Sequence, residues 1–153
     1  MHSKVRLSGF VRLLLQTFLR PLFRVRVTGD ATVFANDRTL IVANHESFLD
    51  GLLLGAFLPV DAVFVVHAQV LTKWYFRLLL RFVPHLAVDS ASPLSMKLIC
   101  RLVETGQPVV IFPEGRLTIT GSLMKVYDGA AFVAAKTAAT VAPPAQAPSS
   151  GAD

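Results

Sequence analysis

Charge is scarce in this chain. Charged residues make up 16% of the 153, and the fifteen basic side chains outnumber the ten acidic ones to give a net charge of +5. Hydrophobic residues reach 53%, too high for a disordered chain and high for an ordinary soluble domain. Long apolar runs are nonetheless missing. A spanning helix needs about 18 to 20 consecutive apolar residues, and the best candidate, Gly51 to Val60, is shorter and holds Pro59. A chain of this kind is expected to lie on a bilayer rather than to cross it. Cysteine is nearly absent too: Cys100 stands alone, which excludes an internal disulfide and fits a small buried hydrophobe in a chain exposed to the cytoplasm. The basic balance would suit nucleic acid, yet no zinc-finger, helix-turn-helix or RNA-platform signature accompanies it, so the anionic face of a membrane is preferred. Lys4 and Arg6 open the chain like a secretory leader, but Arg12 and Arg20 interrupt the apolar region and no small-residue cleavage site follows, so no cleaved leader is expected.

At 153 residues one domain is expected. Residues 5–23 read as a helix with polar side chains at every fourth position, Ser8, Arg12, Gln16 and Arg20, opposite Phe10, Leu14, Phe18 and Leu22. That pattern is either an interfacial helix over residues 1–24 or a helix packed on its own domain. Val25 to Gly29 alternates like a short strand. Thr39 to Ala43, Ala62 to Val66 and Pro108 to Phe112 are continuous apolar runs of the kind buried on both faces of a parallel sheet. Helices are expected between them: Asp50 to Leu58, Leu71 to Val83, and Leu94 to Thr105 after the Ser92-Pro93 start signal. A further small-residue helix follows over Gly129 to Ala138. The alternation predicts an α/β domain over residues 25–141, with a largely parallel sheet flanked by helices. Lys73, Arg77 and Arg81 beside Trp74 and Tyr75 mark a second stretch suited to the headgroup zone. Residues 142–153, rich in Pro, Ala and Ser, cannot bury enough surface to order themselves and are expected to form a disordered tail.

Two polar islands follow two of the apolar runs. The first, Asn44 to Asp50, sets His45 at a strand end and Asp50 at a helix start. A neutral imidazole near pH 7 can take the proton of an attacking hydroxyl, and a carboxylate on its other nitrogen fixes the tautomer. Five residues turn about 140° around an ideal helix, so the pair needs His45 in the strand-to-helix turn. No Gly-x-Ser-x-Gly elbow is present. Ser47 is therefore read as a helix cap rather than a nucleophile, and the attacking hydroxyl is left to the substrate. The second island carries Glu114, Gly115 and Arg116, where a guanidinium can fork onto phosphate and glycine admits close backbone approach. Thr118, Thr120 and Ser122 add hydroxyls. An ordinary turn with an exposed ion pair is the plain alternative. A metal site built from His45, Asp50, His67 and His85 is the other, against which no two histidines share helical ligand spacing.

Asn44-His45 through Asp50 matches the NHxxxxD block, and Phe112-Pro113-Glu114-Gly115-Arg116 resembles the FPEGxR block, with Arg116 directly after Gly115 where many relatives insert a residue, of the glycerolipid acyltransferases, the lysophosphatidic-acid-acyltransferase-like enzymes, which the chain resembles from about Leu19 to Val141. Stretches such as Ile119 to Lys125 and Tyr127 to Lys136 are most similar to the acyltransferase part of bacterial bifunctional 2-acylglycerophosphoethanolamine acyltransferase/acyl-carrier-protein synthetases. The resemblance implies a glycerol-phosphate-acyltransferase-like fold and transfer of a fatty acyl group to a lysophospholipid, chiefly lysophosphatidylethanolamine. It implies acyl carrier protein or coenzyme A thioester as donor, no cofactor, and a place at the cytoplasmic face of a bacterial inner membrane. It makes His45 the base, Asp50 its orienter, and Glu114, Gly115 and Arg116 the acceptor-phosphate site. Relatives continue past Val141 with a Val-Ile-Pro strand, whereas here Ala142-Pro143-Pro144 follow, so a sheet lacking that strand is expected. A truncated, inactive membrane-binding fragment, or a basic peripheral scaffold, are the rival readings.

Overall fold

The apolar runs do what continuous Val/Ile/Leu segments must: they stack side by side and bury both faces. The computed structural model describes residues 9–43, 47, 49–89, 92–112 and 128–142. In chain order these form α1 (Gly9–Leu22), β1 (Thr39–Val42), α2 (Asp50–Phe57), β2 (Val63–His67), α3 (Trp74–Leu80), β3 (His85–Val88), α4 (Pro93–Glu104), β4 (Val109–Ile111), α5 (Gly129–Thr137) and β5 (Thr140–Ala142). The strands make one sheet in the order β3-β2-β4-β1-β5, and every pairing is parallel.

Register decides which side chain meets which face. Leu40 pairs with Val109 and Val109 with Val63, and all three sit in a cluster with Ile99 and Val103 of α4 and Val133 of α5. One residue on, Ile41, Val110 and Phe64 form the opposite row, packed with Val83 and with Leu54 and Leu58 at α2. Each fully buried Leu, Val or Phe of these rows contributes about 1.5–3 kcal/mol of transfer free energy. The two rows explain why the strands read as uninterrupted apolar runs rather than as alternation.

Direction of travel explains the two layers. From β1 the chain moves to β2 and β3 on one side, then returns to β4 and crosses β1 to reach β5. Right-handed crossovers that run in opposite directions must lie on opposite faces. α2 accordingly covers one face, and α4 and α5 pack together on the other.

Four expectations need correction. Val25 to Gly29 is not a strand; Arg24, at φ 49°, turns the chain out of α1, and the segment runs outside the sheet. The helix expected over Leu71 to Val83 is broken. A 3-10 turn over Ala68–Thr72 comes first, and Lys73 is extended at φ −89°, ψ 125°, which starts α3 only at Trp74. Pro84 to Asp89, where no element was expected, contains β3, held in register by Phe64↔His85 and His67↔Val88. Finally, β5 pairs with the outer side of β1, so β1 is an interior strand, and Ala142, assigned to the tail, is a buried member of β5. Residues 143–153 lie outside the described residues. Ser92 precedes α4 as expected but makes no side-chain capping bond; instead the Ser95 hydroxyl accepts from the Asp89 N–H at 3.1 Å.

The amphipathic N-terminal helix is present, with its polar side inward. Arg12 Nε and Gln16 Nε2 both donate to the Ala56 carbonyl, at 3.0 and 2.7 Å. That carbonyl is among the last four of α2, which lack partners within their own helix, and a cation there also meets the negative end of the helix dipole. Arg12 lies 3.8 Å from Asp61 as well, a half-exposed pair worth about 0–1 kcal/mol.

Candidate active site

The strands that precede the two polar islands lie side by side. β1 and β4 are hydrogen-bonded parallel neighbours, and the Ala43 N–H donates to the Ile111 carbonyl at 3.2 Å, one residue past the end of β1. Adjacent strands lie about 4.8 Å apart, so the segments beginning at Asn44 and Pro113 are attached to the same carboxyl edge one strand spacing apart. The chain leaving β1 enters α2 on one face, and the chain leaving β4 enters α5 on the other. Neighbouring strands whose exits part to opposite faces open a crevice at their carboxyl ends, the place where open α/β sheets bind ligands.

Of the five expected site residues, Asp50 is described. His45, Glu114, Gly115 and Arg116 lie outside the described residues. Asp50 is the first residue of α2, and its Oδ2 accepts the Ser47 N–H at 2.7 Å. The Ser47 hydroxyl accepts the Leu49 N–H at 3.1 Å, and the Ser47 carbonyl accepts the Asp50 N–H at 3.1 Å. A serine and a carboxylate three residues apart thus satisfy the Leu49 and Ser47 N–H groups in the turn that enters α2, an arrangement like a capping box set just ahead of the N-cap, Leu49, which has no side-chain cap of its own. These bonds fix the position of the Asp50 carboxylate at the start of α2, beyond the carboxyl end of β1. A carboxylate offers about four acceptor directions, so the bond from Ser47 and a second donor such as an imidazole N–H can share it.

Ser47 is thus engaged, through both its hydroxyl and its N–H, in the turn before α2, while the N-cap position expected of it is held by Leu49. The Ser-x-x-Asp spacing was the sequence signal for the whole arrangement, although the carboxylate's capping role was not drawn from it. The anchor that Arg12 and Gln16 make on α2 had no local sequence signal, since the two partners are about forty residues apart.

His67 and His85, weighed as members of an alternative metal set, are separated by the register of β2 and β3. His67 ends β2 at the carboxyl edge, and its Nδ1 accepts the Gln69 N–H at 3.2 Å. His85 begins β3 at the opposite edge, its Nδ1 3.0 Å from the Val83 carbonyl. Three residues along paired strands place them about 10 Å apart in the strand direction, so they cannot serve one ion together. Among the described residues no three His, Cys, Asp or Glu side chains gather.

The chain resembles known proteins over most of its length. A family model described as Acyltransferase matches residues 24–146. A 1-acyl-sn-glycerol-3-phosphate acyltransferase of Cocos nucifera is 27% identical over 124 residues, 76% of this chain and 40% of the relative. The chloroplastic 1-acyl-sn-glycerol-3-phosphate acyltransferase LPAT1 of Arabidopsis thaliana is 30% identical over 131 residues, 80% of this chain and 36% of the relative. The chain therefore spans two-fifths or less of these plant proteins. The crystal structure of the 1-acyl-sn-glycerophosphate acyltransferase PlsC from Thermotoga maritima superposes with a TM-score of 0.58 over 86% of this chain and 56% of the other, at 20% identity, which is a likeness of fold.

Proposed function

As the chain belongs to the acyltransferase family, we propose that it moves a fatty acyl group from an acyl thioester to the free hydroxyl of a lysophospholipid. The observation that carries this reading is the attachment of the His45–Asp50 block and the Glu114–Arg116 block to the carboxyl ends of neighbouring parallel strands at the sheet's reversal point. In the proposed step the lysolipid hydroxyl oxygen attacks the thioester carbonyl carbon. His45 takes the hydroxyl proton, Asp50 orients the imidazole, and the tetrahedral intermediate collapses to an ester while the thiolate leaves with a proton. Glu114, Gly115 and Arg116 hold the acceptor phosphate, Arg116 by a forked pair of hydrogen bonds. No protein nucleophile is required, consistent with Ser47 being tied into the turn before α2.

The finer assignments follow the sequence resemblance: lysophosphatidylethanolamine as acceptor, acyl carrier protein or coenzyme A as carrier, and the cytoplasmic face of a bacterial inner membrane as the place. The similarity to 1-acyl-sn-glycerol-3-phosphate acyltransferases favours a second acceptor, 1-acyl-glycerol 3-phosphate. The two share a glycerol phosphate with a free hydroxyl and differ in the ethanolamine cap. The test is transfer of a labelled acyl chain from acyl carrier protein or coenzyme A to each acceptor, with product identified by mass. His45→Ala should lower the rate at least about 10³-fold, in the range for removing a catalytic base from a nucleophile–base unit. A His45→Ala chain that transfers at the parental rate would sink the assignment, and preference between the acceptors would choose the headgroup.

A further inference from the structure

His67 is an unusual residue for the place it holds. Its side chain caps the 3-10 turn over Ala68–Thr72, with Nδ1 accepting the Gln69 N–H at 3.2 Å. Serine, threonine, asparagine and aspartate are the side chains that cap best. That bond does not need a bulky ring, and the ring brings a second nitrogen. An accepting Nδ1 carries no proton, so the proton of the neutral imidazole sits on Nε2. Nε2 is therefore a donor, and among the described residues nothing accepts from it.

Strand register says where this donor stands. β2 pairs with β4 through Val63↔Val109 and Phe64↔Val110. Carried two residues further, the same register sets Val66 level with Phe112. His67, the last residue of β2, stands one residue beyond that level, where the sequence runs on from Phe112 into the second polar island. The strand order is β2-β4-β1 across this part of the sheet. With about 4.8 Å between strands, the end of β4 has His67 one spacing away on one side and the end of β1 one spacing away on the other.

The face matches as well. Side chains alternate along a strand, so His67 shares its face with Val63 and Val65, which pack in the cluster under α4 and α5. The chain that leaves β4 leads to α5 on that face, whereas the chain that leaves β1 leads to α2 on the other. His67 thus borders the exit of β4 from the side on which the chain continues to α5. The ring is half-buried, and away from open water a hydrogen bond to a charged oxygen is stronger.

We propose that His67 is a further substrate-binding residue, donating from Nε2 to a phosphate oxygen of the lysophospholipid acceptor. The inference rests on the acyl-transfer reading for its ligand, since that reading sets the acceptor phosphate at the end of β4. The acceptor then lies across the strand ends, with its phosphate between β2 and β4 and its free hydroxyl toward β1.

Two substitutions divide the two bonds of the ring. His67→Asn keeps an acceptor for the Gln69 N–H and removes the far nitrogen. His67→Gln keeps a donor near the place of Nε2 and weakens the cap. In the full chain, His67→Asn raises KM for the lysophospholipid about 10- to 100-fold, the range for one hydrogen bond to a charged group. Its kcat, its KM for the acyl donor and its melting temperature stay at parental values, as loss of uniform binding requires. His67→Gln keeps the parental KM and melts about 2–4 °C lower. The same loss appears without turnover. Equilibrium binding of 1-acyl-glycerol 3-phosphate to His67→Asn weakens by the same factor, while binding of a monoacylglycerol of equal chain length, which has no phosphate, does not change. An unaltered preference for the phosphate-bearing lipid in His67→Asn overturns the proposal. So does a rise in KM for the acyl donor in place of the acceptor, which would put the carrier's phosphate at this nitrogen. A parent chain that binds the two lipids with the stated preference yet transfers no acyl group would sink the acyl-transfer reading and leave the phosphate contact of His67 standing.

Discussion

Ser47→Ala separates two roles that a serine close in sequence to the proposed base, His45, could have. In the structure the Ser47 hydroxyl accepts the Leu49 N–H at 3.1 Å, while the Ser47 N–H reaches Asp50 at 2.7 Å. Alanine keeps the backbone bond and loses the hydroxyl, leaving the Leu49 N–H to water, which a half-buried turn still admits. Loss of a capping oxygen of this kind costs about 0.5–2 kcal/mol, typically about 1. For a chain near 150 residues that lowers the melting temperature by about 2–4 °C per kcal/mol. Acyl transfer at saturating substrate should fall by less than about tenfold, through looser placement of Asp50. Thermal melting by circular dichroism and transfer from acyl thioester to lysolipid, measured on the same preparation, give both numbers. A nucleophilic serine would give the opposite pair: removing one from a catalytic unit costs about 10⁶-fold, with little change in melting. Activity lost by more than about 10³-fold at an unchanged melting temperature would therefore refute the cap assignment, and with it a mechanism that lacks an acyl-enzyme.

Two further outcomes follow from the core. Leu40→Ala, at a position with 0% exposure between Val109 and Val141, should cost about 2–5 kcal/mol in urea unfolding; a loss under 1 kcal/mol would mean the sheet is not packed as described. Burial raises the Cys100 thiol above its ordinary value of 9.0, and nearby Glu104 pushes in the same direction. Because the folded value lies above the unfolded one, the contribution to stability is complete below about pH 9 and fades as pH rises through the folded value. Iodoacetamide at pH 8 should then label the native chain far more slowly than the chain in urea, and equal rates would contradict the burial.

The sequence was most legible where residue type and burial coincide. Val109 to Ile111 and Thr39 to Val42 are buried on both faces, so continuous apolar runs could only be central strands. β3 was harder to read, because an edge strand four residues long that starts with His85 after Pro84 carries little apolar signal. The break before α3 was hidden for a different reason. Lys73, Arg77 and Arg81 keep helical spacing even though the His67 side chain caps a separate 3-10 turn upstream. Val25 to Gly29 has the alternation of a strand, but β5 already occupies the outer side of β1, and no local pattern could reveal that competition. At the candidate site the pairing of Asp50 with Ser47 was readable from their spacing. The adjacency of the strands that precede the two islands was not, since it rests on β4 inserting between β2 and β1.

The eight residues of α2 measure about 12 Å end to end at 1.5 Å per residue. One end carries the Asp50 carboxylate, and the other is gripped by Arg12 and Gln16 of α1. Were α1 to lie on the membrane proposed above as the place of reaction, α2 would be a strut of fixed length between the lipid surface and the Asp50 carboxylate. Height above the headgroups would then itself be a criterion of substrate choice. A hydroxyl near the glycerol backbone of an embedded lipid and one at the tip of a long headgroup stand at different depths, and a rigid strut presents the carboxylate to only one of them.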